Sequence, residues 1–488
     1  MDFRRLAVID IGSNTCRLVI YDVLGVALLQ SFNEKAMAGL GRGLPETGML
    51  SKEGRVIALE ACRRYAAILK GLGVSEIYPV ATAAVRVASD GPDFVKDVED
   101  SLGRPVQVLS GPDEGRLSAS GVVTGFHEVD GIVADLGGSS LELQPLSCGT
   151  PSQKGETHLL GPLAFSDADD KPLDKRRKAI KQTLKSSKIL TSKTDKLYAV
   201  GGAWRNVAAV HMELVGYSLH ILQGYKMTVS DVCEVIDTAD FARLDKATRS
   251  RLQRVAKRRY GTLLHTAIVL EALMKSAGTK EVIISANGLR EGVVIDALNE
   301  AQAVESQLQD FLRLYLRPSF AAETYANELV RFCEPISKVL SISKSVVTAA
   351  CYLADSGSRM HPDHRSKLVY DQALQAPYPK LGHADRLFVA YACASRYTFK
   401  HVIPEALREL QSEADQKNAR ILGTALRLAG VFSGRSASIL AHAVLRLEDQ
   451  ELILQVGQAE RDLVSETGKR RLDQLAGLLG FTAKIELS

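Results

Sequence analysis

Hydrophobic and polar positions along this chain keep changing period. From Leu6, "LAVID" is a run of apolar and β-branched residues, "GSN" is turn chemistry, and "RLVIYDV" alternates like a returning strand. "EGRVIALEACRRYAAILKGLG" switches to helical spacing, with Val56, Leu59, Cys62, Ala66 and Leu69 recurring at steps of three and four. The Gly71 and Gly73 pair predicts its stop. "EIYPVATAAVRVA" and "VQVLSGPDEGRLSASGVVTGF" each read as a strand entering a helix.

A second block opens at "GIVADLGGSSLELQPL" and repeats strand, turn, strand. Strands follow at "KLYAVGG" and "EVIISANG", with the helix "TLLHTAIVLEALMKSAG" between them. Strands alternating with helices predict an α/β fold with a layered sheet. Two blocks that open on the same hairpin predict a duplicated domain with a cleft between the copies. Past about residue 300 the strand signal fades into helices. A strand pair, "HAVLRLEDQELILQVG", a helix, "GKRRLDQLAGLLG", and a last strand, "TAKIEL", close the sequence. Boundaries are expected near 125, 305 and 415.

Composition narrows the class. The 488 residues exceed one ordinary domain, and 46% hydrophobic with 24% charged residues is globular usage. Net charge is +4, too small to announce a nucleic-acid binder, and aromatics are 6% and not interleaved with the basic stretches. Seven cysteines without a CxxC pair fit a reducing compartment. The N-terminus runs straight into the first strand, and no apolar run reaches membrane-span length. The expectation is a cytoplasmic protein with no membrane span.

Candidate chemistry lies in the two turns, "DIGSNT" and "DLGGSS". Glycines and small hydroxyl residues let backbone N–H groups converge on a phosphate. An acid beside such a cradle repels phosphate, so its use is to hold a divalent cation whose shell the phosphate completes. A single such turn is more often a plain hairpin; two, opening two similar blocks, predict paired phosphoryl sites across a cleft. By pattern alone, Glu114 in "SGPDEG" reads as an acid in a helix's first turn, favoured by the macrodipole.

These residues carry a resemblance. "DIGSNT" and "DLGGSSLE" resemble the exopolyphosphatase and guanosine pentaphosphate phosphohydrolase (Ppx/GppA) family, within the actin, Hsp70 and sugar-kinase superfamily. "ATAAVRVASDG", "LSGPDEGRLSASGV", "GETHLLGPLAF", "VGGAWRNVA" and "SANGLREGVV" resemble further family segments, in order over roughly the first 300 residues. The second turn departs from the family pattern: Ser139 stands for the third glycine and Leu141 for the threonine.

The resemblance implies two ribonuclease H-like lobes, at 1–125 and 126–305. A degenerate α-helical HD-like domain at 306–415 and a small α+β domain at 416–488 follow. It implies Glu114 as the base that activates water, with Glu142 helping to place the metal or the water. Asp10, Asp135 and Glu142 are the implied metal acids, with Mg²⁺ or another divalent cation as cofactor. Ser13, Asn14, Thr15, Arg86, Gly137, Gly138, Ser139, Ser140 and Arg290 are the implied phosphate contacts. A homodimer is implied as well.

The expected activity is release of orthophosphate from the ends of inorganic polyphosphate. The alternatives are guanosine pentaphosphate (pppGpp) hydrolysis in the same cleft, a sensor that binds polyphosphate or the alarmones pppGpp and ppGpp without turnover, or a kinase on the same fold. A long polyanion needs a basic track, for which Arg254, Lys257, Arg258 and Arg259 are candidates. "DKRRKAIKQTLKSSK" reads as a solvated helix face. In the helical region, the place of an HD pair reads Ala354-Asp355. The nearby His361, Asp363 and His364, and later His383 and Asp385, are not expected to form a metal site.

Overall fold

The computed structural model describes residues 3–152, 154–163, 173–191, 193–238, 245–256, 261–298, 307–399 and 403–488. The chain divides into two compact units, 1–302 and 303–488.

The first unit holds two sheets. Strand β1 (Arg4–Ile11) turns back into β2 (Cys16–Leu24), which pairs on its other edge with β3 (Ala27–Ala36). β4 (Glu76–Ala81) joins β1 in parallel, and the short β5 (Gln107–Val108) joins β4 in parallel, giving the order β3-β2-β1-β4-β5. The second sheet restates this. β6 (Gly131–Leu136) and β7 (Leu141–Ser147) are the hairpin, and β8 (Thr150–Pro151) and β9 (Glu156–His158) pair with β7. β10 (Lys196–Val200) lies parallel to β6, and β12 (Glu281–Ile284) parallel to β10, with β11 (Lys226–Thr228) added at the edge. The duplicated α/β architecture expected from the repeated hairpin is present.

Both sheets are covered on both faces, so their central strands read as near-continuous apolar runs. Helix Lys52–Gly71 covers one face of the first sheet. Its Ser51 cap accepts the Gly54 N–H, and its buried stripe is Gly54, Ala58, Ala61, Cys62, Tyr65 and Leu69. The expected stripe was rotated: Val56 is 55% exposed and Leu59 only partly buried. The small Gly54 and Ala58 make the contact, because a Cβ at 54 would meet the Ala38 carbonyl at 2.9 Å.

Between the sheets lie two helices, Gly111–Val123 and Leu289–Leu298. Leu117, Val293, Val294 and Leu298 pack on the first sheet, while Ala119 and Val122 pack on the second. The two helices touch backbone to backbone. A Cβ at Gly292 would lie 1.7 Å from the Leu117 carbonyl oxygen, and one at Gly121 1.9 Å from that of Gly288. Glycine at both positions therefore sets how closely the lobes approach.

The second unit is helical at first, with helices Phe320–Val339, Lys344–Leu353, Pro362–Gln375, His383–Tyr397 and Glu413–Ser433. It ends in a three-stranded sheet of β13 (Ala443–Glu448), β14 (Glu451–Val456) and β15 (Thr482–Leu487). β14 and β15 are parallel, and helix Glu466–Leu479 makes the crossover that parallel pairing requires. Among the described residues no helix is long and apolar enough to cross a membrane.

Candidate active site

The two hairpin turns are built alike. Gly12 N–H donates to the Thr15 carbonyl at 2.9 Å, and Gly137 N–H to the Ser140 carbonyl at 2.9 Å. Each tip is held by a later loop. Gly39 and Gly41 donate to the carbonyls of Asn14 and Ser13; Gly161 and Leu163 donate to those of Ser139 and Gly138. The turns meet tip to tip, where Ser139 Oγ donates to Ser13 Oγ at 3.2 Å.

Behind that contact lies a cavity of about 220 Å³. Asp10, Gly12 to Thr15 and Arg17 line it from the first hairpin, and Asp135 to Gly138 from the second. The first turns of helices Gly202–Leu214 and Leu289–Leu298 complete the wall with Gly202, Ala203, Leu289 and Arg290. Backbone N–H groups at helix starts favour an anion there. Gly201 has φ of 106° and no room for a side chain, since a Cβ would meet the Leu136 carbonyl at 2.5 Å. It brings that helix start against the second hairpin.

The acids of the cavity are buried. Burial pushes the Asp10 carboxyl up, while Arg290 and Arg17 pull it back. Asp135 is likewise raised by burial and eased by the hydroxyl of Ser118, which donates to its Oδ2, and by Arg205. Glu114, in the first turn of helix Gly111–Val123, is 6% exposed. Its carboxyl is pushed up to about 7, first by burial and then by the Asp135 charge, against the pull of Arg86. Arg86 Nη1 donates to Glu114 Oε2 at 3.2 Å and to the Leu109 carbonyl at 2.6 Å.

Glu142 sits behind Glu114 and outside the cavity lining, 1% exposed. Burial, then the charges of Glu114 and Asp135, hold its carboxyl well above the ordinary range. Neither of its carboxylate oxygens nor the Ser140 hydroxyl has a partner of good hydrogen-bond geometry among the described residues. The Ser140 hydroxyl still eases the Glu142 shift, so the two groups partly serve each other in a pocket where polar atoms are costly to leave unmatched.

Of the expected contacts, Ser13, Asn14, Thr15, Gly137, Gly138 and Arg290 line the cavity with Asp10, Asp135 and Glu114. Arg86 faces Glu114, Ser139 faces Ser13, and Ser140 and Glu142 lie behind the wall. Arg254 is exposed on helix Lys246–Ala256, away from the lining, and Lys257, Arg258 and Arg259 fall outside the described residues. Arg17, Thr82 and Arg205 line the cavity without having been expected there. A second unforeseen network stands behind Arg290: Tyr21 donates to Glu291 Oε1 at 2.5 Å, and Glu291 Oε2 accepts the Gly288 N–H at 2.8 Å. Arg17 and Arg205 sit in motifs whose glycines and hydroxyls carry the pattern, and nothing in the spacing marks the arginines. Tyr21 gave no signal, because a tyrosine in an apolar strand reads as core.

Residues 19–301 match the model of the Ppx/GppA phosphatase family. The chain belongs to that family. Residues 319–486 match the model of the exopolyphosphatase C-terminal region. The fold is similar to the crystal structure of the Aquifex aeolicus Ppx/GppA family member, at 23% identity over 62% of this chain and 100% of that one, with a TM-score of 0.54. It is also similar to an exopolyphosphatase from Cytophaga hutchinsonii, at 22% identity over 62% of this chain and 99% of that one, with a TM-score of 0.53. Membership of the Ppx/GppA phosphatase family points to a hydrolase that acts on phosphoanhydrides.

The cleft of this Ppx/GppA phosphatase fits a divalent cation in one particular way. The described residues hold no ready-made cluster of three ligands. Magnesium, however, keeps several waters and needs only one or two carboxylates plus phosphate oxygens. Asp10 and Asp135, raised by burial and flanking the two turns, suit that role.

Proposed function

We propose that the protein is an exopolyphosphatase, which hydrolyses the terminal phosphoanhydride of inorganic polyphosphate and releases orthophosphate. The observation that carries this reading is Glu114. It is a buried carboxyl between two phosphate-type turns, tethered by Arg86, with a pKa of about 7. A general base works best with a pKa near the operating pH.

In this reading the terminal phosphoryl group lies in the cavity behind the tips of the two hairpins, against the N–H groups of residues 13–15 and 138. Arg290, Arg17 and Arg205 face the phosphoryl oxygens as charged donors. Mg²⁺, held by Asp10 and Asp135, would neutralise phosphoryl charge when bound. Glu114 takes a proton from water as the water oxygen bonds to the terminal phosphorus. The bond from that phosphorus to the bridging oxygen breaks, and the shortened chain keeps that oxygen. Arg86 holds Glu114 in place, and the charges of Asp135 and Asp10 raise its basicity. Phosphoryl transfer depends on such positioning and charge neutralisation more than on covalent help.

The basic stretch from Arg254 through Arg259 is the proposed track for longer chains. The four-part division at 125, 305 and 415, a homodimer and a cytoplasmic setting complete the proposal. The test is the rate of orthophosphate release from polyphosphates of defined length and from pppGpp, with and without Mg²⁺. Faster turnover of long polyphosphate supports the reading. A preference for pppGpp replaces it with the pentaphosphate hydrolase, and binding without release replaces it with the sensor.

A further inference from the structure

A second concentration of charge lies wholly within the second unit. Asp355, which follows helix Lys344–Leu353, borders a cavity of about 370 Å³ whose other charged walls are Arg365, Arg396, Arg427 and Arg435. They come from helix Pro362–Gln375, helix His383–Tyr397, helix Glu413–Ser433 and the turn that ends the last of these. Four guanidinium groups and a single carboxylate thus line one cavity.

The hydrogen bonds account for only part of this charge. Asp355 Oδ1 accepts from Arg396 Nη2 at 2.5 Å, and Oδ2 lies 3.7 Å from Arg435 Nη1. Arg396 Nη1 donates to the Leu426 carbonyl at 3.0 Å, and Arg365 Nη2 to that of Met360 at 3.0 Å. Arg427 lies over the Phe399 ring at 5.7 Å and has no carboxylate partner among the described residues. Arg396 is 7% exposed, yet its Nε finds no acceptor, and neither does the Nε of Arg365. Burial and the charges of Arg471, Arg470 and Arg396 hold the Arg427 pKa below its usual value. Arg365 and Arg427 are half-buried, and cations withdrawn from water are costly unless something pairs with them.

Two backbone features keep the cavity open and aimed. A Cβ at Gly430 would press on Arg396 at 3.0 Å from Nη1 and 3.3 Å from Nη2, so glycine there leaves the guanidinium face clear. Arg435 has φ of 69°, a left-handed conformation uncommon for a residue with a side chain, and it directs that side chain towards Asp355. Strain of this kind persists where the surroundings over-determine it. Planar forks of N–H donors match tetrahedral oxyanions two bonds at a time, and arginine is the residue of choice for them.

We propose that this pocket binds a phosphoryl group, separately from the cleft of the first unit. The same chemistry serves two sources, free orthophosphate or the end of an oligophosphate. Asp355 holds Arg396 and Arg435 in register, and the entering dianion offsets the surplus charge of Arg365 and Arg427. None of this depends on which phosphoanhydride the cleft hydrolyses.

The test is calorimetric titration of the full chain with methylenediphosphonate, which is not hydrolysed, and separately with orthophosphate. Wild type and Arg290→Gln keep the pocket; Arg427→Gln/Arg435→Gln lacks two of its four cations. The expected result is a binding event retained in Arg290→Gln and weakened at least tenfold in the double variant. If orthophosphate produces that event as well as the diphosphonate, the source is the free ion; if only the diphosphonate does, it is a chain end. Arg435→Gln alone, at a half-exposed position, covers failure of the double variant to fold, and should weaken binding several-fold with an unchanged circular dichroism spectrum. Binding of both probes at equal strength in wild type and both pocket variants, or no binding event in Arg290→Gln, overturns the proposal.

Discussion

Ser139 Oγ and Ser13 Oγ, 126 residues apart in the chain, lie 3.2 Å from each other. Through this contact the two lobes meet at the mouth of the cleft. Its closeness depends on Gly138, because a Cβ there would lie 2.9 Å from that of Ser13. Gly138→Ala is therefore expected to force the hairpin tips apart by a fraction of an ångström. Displacement on that scale at a phosphoryl-transfer site lowers kcat/KM by about 10–100-fold. The melting temperature should stay within about 3 °C, since one loop contact in a large unit is at stake. Steady-state phosphate release alongside a thermal melt checks this, and an unchanged kcat/KM would detach the tip contact from the chemistry.

Glu114→Gln keeps the side chain's shape and removes the base. Turnover is expected to fall by about 10²–10⁴, with polyphosphate binding retained. In the wild type, kcat should rise with pH through about 7 as Glu114 loses its proton. Arg86 lowers that pKa, so in Arg86→Gln the rising limb should move to higher pH as well as lose height. A purely structural Arg86 would lower the rate without moving the limb. The pH profile of the variant separates the two.

Glu142 gives a prediction about stability. Its folded-state carboxyl is raised well above the ordinary value, so the folded protein holds that proton more tightly than the unfolded chain. The stability it contributes is complete below the unfolded pKa of about 4.3 and is lost as pH rises towards the folded pKa. Every tenfold gain in proton affinity on folding is worth about 1.4 kcal/mol. In metal-free buffer, Glu142→Gln should therefore melt higher than wild type at pH 8 by a few degrees, with the gap closing towards pH 4. A constant gap across that range would contradict the assignment.

Gly292 bears on the lobe arrangement. With the Leu117 carbonyl 1.7 Å from where its Cβ would stand, Gly292→Ala must move one helix away from the other. Overpacking of this kind costs about 1–3 kcal/mol. The cleft should open with it, so phosphate release should fall more than stability alone explains. Urea unfolding together with kinetics at a temperature where both proteins are folded checks this.

Much of the fold was legible because its strands are fully buried and its turns carry glycine. "LAVID" and "GIVAD" could only be central strands, and the repeat of one hairpin foretold the duplication. The buried face of helix Lys52–Gly71 was not legible, because Gly54 and Ala58 make its contact while the larger Val56 faces solvent. At the site, the acids and glycines stood out in their turns. The arginines and the tyrosine behind them did not, since Arg17 and Tyr21 lie on strand β2, where neither composition nor spacing marks them. Sequence also could not tell that Arg86 would turn towards Glu114, because that needs the Leu109 carbonyl, 23 residues away, as its second acceptor.

The two hairpins differ on one rung. Opposite Asp10 on the first stands Arg17; opposite Asp135 on the second stands Glu142. From that rung one lobe turns a cation into the cavity, while the other keeps its acid behind the wall. That rung breaks the equivalence of the two copies and gives the cavity a polarity. In the proposed exopolyphosphatase, such a polarity would let the site tell the tip of a polyanion from its middle and favour trimming from an end.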